Sequence, residues 1–253
     1  MPFPLRTRTR GRPSRNAGVV NVAAAPSFNP LTDWTTDPVH GVWASDPAWT
    51  PPADGGAVSS WRNGGTVGGD LVQATGSKQP TYRAATVAFN SKPTVQGDGT
   101  DDLLAVDTAT YAQTWWVVMI AARGKAVGLN EVLWDNIAGA ASTSVFSQGS
   151  VWRLSASTQI MGGTPDTNPH LIVGKAAGAS SSLTIDGTTV ASGNAGTSSI
   201  TGITLFAERS QAAGYFSSGH IAYAALFTTD PTALPEWAAF KAWVLSEYGI
   251  TVA

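Results

Sequence analysis

The chain of 253 residues contains no cysteine. Disulfide frameworks, thiol catalysis and thiolate metal sites are therefore excluded together, and stability must come from packing, hydrogen bonding or assembly. Charge is scarce as well, at 13% of residues, and histidine is limited to three. His40, His170 and His220 stand far apart, with no nucleophile-elbow or zinc-ligand spacing around them, so each reads as a surface or hydrogen-bonded histidine. No Gly-rich loop opens a helix at the spacing that cradles phosphates, which leaves nucleotide binding without support. Long apolar runs are missing too. The longest, "WWVVMIAA" from Trp115 to Ala122, is far short of the roughly 18 residues a membrane helix needs. It reads as a strand buried on both faces, and no membrane partner is expected.

What is present is unevenly distributed. The net charge of −2 hides a basic start: Arg6, Arg8, Arg10, Arg12 and Arg15 fall within "LRTRTRGRPSR", and no acid appears before Asp33. The remainder carries ten basic and seventeen acidic residues. A secretory leader is not expected here, because the apolar segment that follows, "VVNVAAAP", is short and interrupted by Asn21. The chain divides into a basic arm over 1–16, a Pro- and Trp-rich connector over 17–53, and a Gly-, Ser-, Thr- and Ala-rich body over 54–253. Pro30, Pro38, Pro47 and Pro51 rule out a regular helix or a central strand in the connector. It is expected to wrap over the body or a neighbour, pinned by Trp34, Trp43 and Trp49.

The body reads as many short strands bounded by turn residues, the pattern of an antiparallel sandwich. In "SSLTIDGTTVASG", Leu183 and Ile185 alternate with polar neighbours, and Asp186-Gly187 is a strong two-residue hairpin signal. In "GHIAYAALFT", strict alternation places Ile221, Tyr223, Ala225 and Phe227 on one face and Ala222, Ala224 and Leu226 on the other. One helix is expected over 231–248, capped by Asp230, started by Pro231 and Pro235, ended by Gly249, and docked through Trp237, Phe240, Val244 and Tyr248.

Five stretches in order, "DGGAVSSWRNGG", "DLVQATGSKQPTYR", "FNSKPTVQGDGTDDLLAV", "SSGHIAYAALFT" and the closing helix ending in "YGI", carry a resemblance to the concanavalin A-like lectin and glucanase superfamily. More narrowly, the chain resembles the laminin-G-like jelly-roll domains of bacteriophage minor tail and other virion structural proteins. The sequence departs from that family at Gly97, where an aromatic residue is usual. The resemblance implies an all-β fold, a two-sheet antiparallel jelly-roll sandwich with one C-terminal helix and an extended N-terminal arm. It also implies a face suited to glycans or proteins, and it does not imply an enzyme.

The acidic cluster Asp98, Asp101 and Asp102 admits two readings. Hard cations take several oxygen ligands, so it is a candidate calcium site. The turn reading takes precedence, because all three lie in one short segment without an EF-hand's spacing or distal Glu, and Asp-Gly and Thr-Asp-Asp are turn formers. No other cofactor is expected. A glycosidase needs paired carboxylates, and among Glu131, Glu208, Glu236 and Glu247 only Glu131 has an acid at such spacing, Asp135. Two residues four apart on a strand share a face, yet surface solvation accounts for both more simply.

Of ten tryptophans, Trp61, Trp115, Trp116, Trp152, Trp237 and Trp243 sit in strand or helix patterns and are expected in the core or under the helix. Trp34, Trp43 and Trp49 are expected at an interface, against the body or a neighbouring subunit rather than stacked on sugar. For the arm, five arginines without aromatic support would hold nucleic acid only modestly, so a protein partner is favoured. The expectation is a bacteriophage virion component, minor tail or capsid-surface, present in several copies, located in the virion and fastened to other virion proteins by Arg6, Arg8, Arg10, Arg12 and Arg15. Its jelly roll would bind host-surface glycans or reinforce the particle. The alternative is a free lectin module or a weak glycoside hydrolase.

Overall fold

Runs of β-branched, aromatic and small residues between Gly, Asp and Asn turns form sixteen strands among the residues that the computed structural model describes, 27–136, 143–208 and 215–253. In chain order they begin with β1 (His40–Trp43), β2 (Ser60–Trp61), β3 (Leu71–Val72), β4 (Thr81–Thr86) and β5 (Lys92–Gln96). Next come β6 (Leu104–Tyr111), β7 (Trp115–Ala122), β8 (Glu131–Asp135), β9 (Thr143–Gln148), β10 (Val151–Ala156) and β11 (Gln159–Gly162). The last are β12 (His170–Ala176), β13 (Ser181–Ile185), β14 (Thr188–Gly193), β15 (Ile200–Leu205) and β16 (His220–Phe227), followed by the helix α1 (Trp237–Tyr248). The arm, with Arg6, Arg8, Arg10, Arg12 and Arg15, lies outside the described residues.

The strands pair into two antiparallel sheets. One runs β14-β13-β12-β7-β16-β5-β4, with β1 also paired to β16; the other runs β11-β10-β9-β8-β15-β6-β3-β2. This is the antiparallel two-sheet sandwich the alternation predicts. The Asp186-Gly187 hairpin is realised with both residues at positive φ, 49° and 83°, the geometry that lets a two-residue turn follow the twist of its strands.

The first sheet has two apolar faces, and β7 shows why its sequence is a continuous hydrophobic run. Trp115, Val117, Met119 and Ala121 point into the space between the sheets, while Trp116, Val118, Ile120 and Ala122 point away from it. The outward set is covered by α1 and by the segment ahead of β1, which together build a second core around Phe28, Leu31, Trp34, Phe227, Phe240 and Trp243. Trp34 is its hub, with ring centroids 5.3 Å from Phe28, 5.4 Å from Phe227 and 5.1 Å from Phe240. Its indole donates to the Pro30 carbonyl at 2.9 Å, and the Tyr223 hydroxyl donates to the same oxygen at 3.1 Å.

Three local expectations change. The helix begins at Trp237, because Asp230 caps a short 3-10 turn over Pro231–Ala233 instead, and the backbone extends at Leu234 before α1 starts. Gly249 terminates it as expected, at φ 72° with its N–H donating to the Leu245 carbonyl. In β16 the strict alternation fails at a register shift between Ile221 and Tyr223. Ile221, Ala224 and Leu226 therefore face the sandwich interior, and Ala222, Tyr223, Ala225 and Phe227 face the second core. Finally, the stretch before Asp54 is woven into the body, since β1 pairs residue for residue with Tyr223–Leu226.

The other edge of β1 is closed by the chain at 64–67, with Gly64 N–H donating to Gly41 and Val67 N–H to Val39. Asn63 holds this approach, its Oδ1 accepting from Gly41 and Gly65 and its Nδ2 donating to Val67. A Cβ on Gly65 would lie 2.6 Å from the His40 Cα. Gly65 is thus required by a close backbone approach, while a Cβ on Gly64 would meet the Leu31 side chain at 2.5 Å.

Because Trp34 is 5% exposed at the centre of the second core, Trp34→Ala is expected to cost about 3–5 kcal/mol of stability. Val87→Ala, at a side chain 88% exposed, should stay within about 0.5 kcal/mol of the parent. Urea unfolding of the two variants checks both.

Candidate functional site

The acidic cluster sits where β5 ends, in a loop pressed against residues 217–219. Gly97 N–H donates to the Gly219 carbonyl and Gly99 N–H to the Ser217 carbonyl, at 3.1 and 3.0 Å. A Cβ on Gly97 would fall 2.2 Å from the Ser217 oxygen and 3.0 Å from the fully buried Phe206 ring. Glycine is obligatory there for this chain, and Phe206 fills the adjoining volume.

Oxygens of Asp98, Asp101 and Asp102 come within 4.8 Å of one another, so the sequence-predicted cluster does assemble. Its geometry is that of a turn in the first instance. Asp98 Oδ1 accepts from the backbone N–H groups of Thr100, Asp101 and Asp102 at 2.8, 3.2 and 3.3 Å. Burial pushes the Asp98 carboxyl up, but those three donors together bring it below its usual range. Asp102 goes the other way: burial first, then the negative charge of Asp98, raises it to about 6.

Glu131 and Asp135 are not solvated surface groups. Both side chains are fully buried. For Glu131 the cause is a counter-charge no local pattern announced, Arg123, which directly follows the apolar strand β7 and lies with its Nε 3.4 Å from Glu131 Oε2. Glu131 also accepts from the Gly124 and Lys125 N–H groups and from the Ser217 hydroxyl. A register shift between Val132 and Trp134 puts Leu133 and Trp134 both in the core. That removes Glu131 and Asp135 from the common face strict alternation predicts, so the two do not flank a common space.

The histidines are likewise structural. Burial lowers His40 and His220 to about 4; His40 Nε2 lies 3.1 Å from the Gly69 carbonyl and His220 Nδ1 2.9 Å from Thr94 Oγ1. His170 is clamped between Asp186 at 2.6 Å and Asp166 at 2.9 Å. Burial alone would lower it, but the two carboxylates outweigh that and raise it.

Trp34, Trp43 and Trp49 all dock on their own body. Trp34 is in the second core, and Trp49 stacks on Trp61 at 5.8 Å and meets Tyr82 edge-on at 5.7 Å. Trp43 packs edge-on against Trp243 at 5.6 Å and donates to the Tyr248 hydroxyl at 2.9 Å. Half-buried, Trp43 also forms one wall of an open cleft of about 640 Å³, shared with Ser27, Asn29, Asp33, Lys92, Trp243 and Glu247. Lys92 and Glu247 are ion-paired at its rim. The residues come from four segments, the outermost more than two hundred positions apart, which is why no local spacing signalled the cleft.

The class these features define is an antiparallel β-sandwich with a helix-covered outer face. No family model matches the chain, and no curated protein matches it. Among solved structures it is similar to Trypanosoma rangeli sialidase in complex with 2,3-difluoro-KDN, at TM-score 0.54 and 14% identity over 85% of this chain and 33% of that one. The same sialidase with the inhibitor DANA gives TM-score 0.54 and 14% identity over 89% and 35%. The botulinum neurotoxin serotype G binding domain gives TM-score 0.50 and 9% identity over 83% and 51%. The chain spans about a third of the length of the sialidase chains, and at these identities the likeness is one of fold.

Three tests follow from the acidic loop and from His170. Asp102 has a folded value above its unfolded one, so the folded state holds the extra proton and stability from this group falls as pH rises from about 4 to about 6. Asp102→Asn should remove that decline and stabilise the protein at pH 7 by about 1–3 kcal/mol. His170, also raised, contributes stability that is complete below about pH 6.5 and lost as pH climbs through its folded value; His170→Asn should remove this second, higher decline in the melting profile. A calcium site at the loop would raise the melting temperature on adding calcium and lower it on chelation, whereas a turn leaves both unchanged. With Asp98 Oδ1 already occupied by three backbone donors, the unchanged melting temperature is the expected result.

Proposed function

We propose that the chain is a structural component of a bacteriophage virion, a minor tail or capsid-surface protein without enzymatic activity, fastened by its basic arm and displaying the sandwich outward. The observation that carries this reading is the way the described chain begins. Phe28, Leu31 and Trp34 are buried in the second core, and β1 then zips onto β16, a central strand. Tension on the preceding arm is therefore delivered to the middle of the sheet. A tether in permanent use needs such a connection; an incidental tail does not.

The displayed body reinforces the particle or adheres to host-surface glycans. The second reading, a free carbohydrate-binding module, draws on the cleft between Trp43, Asn29, Asp33, Lys92 and Glu247, where an aromatic wall stands beside convergent polar groups as in small-ligand sites. It also draws on the likeness to a sialidase solved in complex with sialic acid. The hydrolase version is weaker, because Glu131 is already engaged by Arg123 and by three hydrogen-bond donors.

Removal of residues 1–26, and no more, separates the readings. Pro30 and its neighbours must stay because they are part of the core. The truncated chain should keep its circular dichroism and melt within a few degrees of the parent, yet fail to incorporate into particles. Undiminished incorporation would refute the anchoring role, and retained glycan binding by the truncated chain would support the module.

A further inference from the structure

The cleft of about 640 Å³ opens where the described chain starts: Ser27, Phe28 and Asn29 form part of its wall. Eleven residues lie between Arg15 and Ser27, a reach of up to about 40 Å when extended, so every arginine from Arg6 to Arg15 is tethered within range of this cavity. We propose that the cleft is a docking site for this chain's own arginine arm, which it holds in the free protein and releases when the arm engages its partner.

Chemistry favours that occupant. Asp33 is exposed at the cleft, and among the described residues its carboxylate is engaged by the Asn29 N–H and, at 3.4 Å, by the Thr32 hydroxyl. Glu247 adds a second carboxylate to the lining, ion-paired with Lys92. Trp43, half-exposed in the same cleft, offers an indole to a guanidinium, which aromatic faces attract more strongly than they attract a neutral group. The charge balance of the whole molecule runs the same way, with five arginines and no acid in the arm against seventeen acids and ten bases elsewhere. Tethering also lowers the affinity required. A segment attached at the rim is present at an effective concentration of about a millimolar or more, so one arginine seated on Trp43 and paired with Asp33 suffices to hold it part of the time.

This assignment rests on the reading of the arm as an anchor, since a stored arm has a use only if it is deployed. In the storage state the arginines are kept from nonspecific anionic contacts, and the partner must offer carboxylates more numerous or better placed than Asp33 and Glu247.

The absence of native cysteine makes the test direct. A nitroxide is attached at Ser14→Cys in the full-length chain, and the indole N–H signal of Trp43 is followed by NMR. Docking should give a roughly twofold or greater loss of its intensity in dilute solution, as expected for a tethered partner. Raising the ionic strength from about 0.01 M to about 1 M, which shortens the screening length from about 30 Å to about 3 Å, should restore the signal. Asp33→Asn, which keeps an acceptor for the Asn29 N–H, and Glu247→Gln should restore it too. No loss of intensity, or a loss indifferent to both variants, would overturn the proposal. So would a loss seen only when nitroxide-bearing and isotope-labelled chains are mixed, which assigns the cleft to a second copy. A Trp43 shift produced by methyl β-D-glucopyranoside without any effect of the nitroxide would assign it to a neutral sugar instead. The particle-incorporation result is independent: docking with unaffected incorporation of the truncated chain sinks the anchoring reading alone, and lost incorporation without docking sinks this inference alone.

Discussion

A sheet with two apolar faces must be covered twice, and most of this molecule answers that requirement. The strand pair β7–β16 is buried on both sides, so a second sheet is needed on one face and something else on the other. The cover on the outer side is α1 together with the segment carrying Phe28, Leu31 and Trp34. A twelve-residue helix is marginal by itself in water. It persists here because Phe240, Trp243, Val244 and Tyr248 are buried against the sheet, and the N-terminal segment persists for the same reason.

The price of stacking so many layers through short loops appears at one end of the sandwich, where a buried charge has to be accommodated. Arg123 and Glu131 are both fully buried, an arrangement tolerated only when the remaining donors and acceptors are satisfied. Glu131 meets that condition through two backbone N–H groups and Ser217. Arg123 meets it only in part: its Nη2 donates to the Leu129 and Ala126 carbonyls, whereas its Nε, 3.4 Å from Glu131, and its Nη1 have no hydrogen-bond partner among the described residues. Around them the loops approach so closely that a Cβ on Gly97, Gly124 or Gly219 would lie 2.2 Å from a neighbouring carbonyl oxygen. The acidic loop at 98–102 is anchored to the same residues. Its carboxylates are thus brought together by the packing of a loop, and the raised Asp102 records the cost of that crowding.

What could be read in advance divides along the range of the interactions involved. Strand character, the Asp186-Gly187 hairpin and the Gly249 stop are set by near neighbours, and all three stand in the structure. Features needing partners far along the chain were out of reach. Ile221 and Tyr223 were assigned one face because alternation is local, but the pairing with β7 shifts between them. Glu131 looked solvated because its counter-ion, Arg123, meets it only once the chain turns back between β7 and β8. Pro231 looked like a helix start because Pro235 was taken as a first-turn residue, although the signal against it was local: a proline disfavours helical backbone at the residue before it, here Leu234. Trp34 was legible as a docking residue, whereas its docking site, assembled from Phe227, Phe240 and Trp237 two hundred positions later, was not.

The same long-range pairing bears on how the chain would carry load. A pull at Ser27 meets the second core first, and to reach β1 it must extract Phe28, Leu31 and Trp34, each worth roughly 1.5–3 kcal/mol of burial. Phe28 and Trp34 touch each other and Phe240, and Leu31 belongs to the same core, so their removal is coupled. Only then would the pairing of His40–Trp43 with Tyr223–Leu226 be exposed to separation. β16 in turn is held by β7 along its length and by β5 at His220 and Ile221, which spreads the remaining force across the sheet. The segment lies there because the sheet's outer face has to be covered, and the same placement is what a pull on the proposed tether would have to undo.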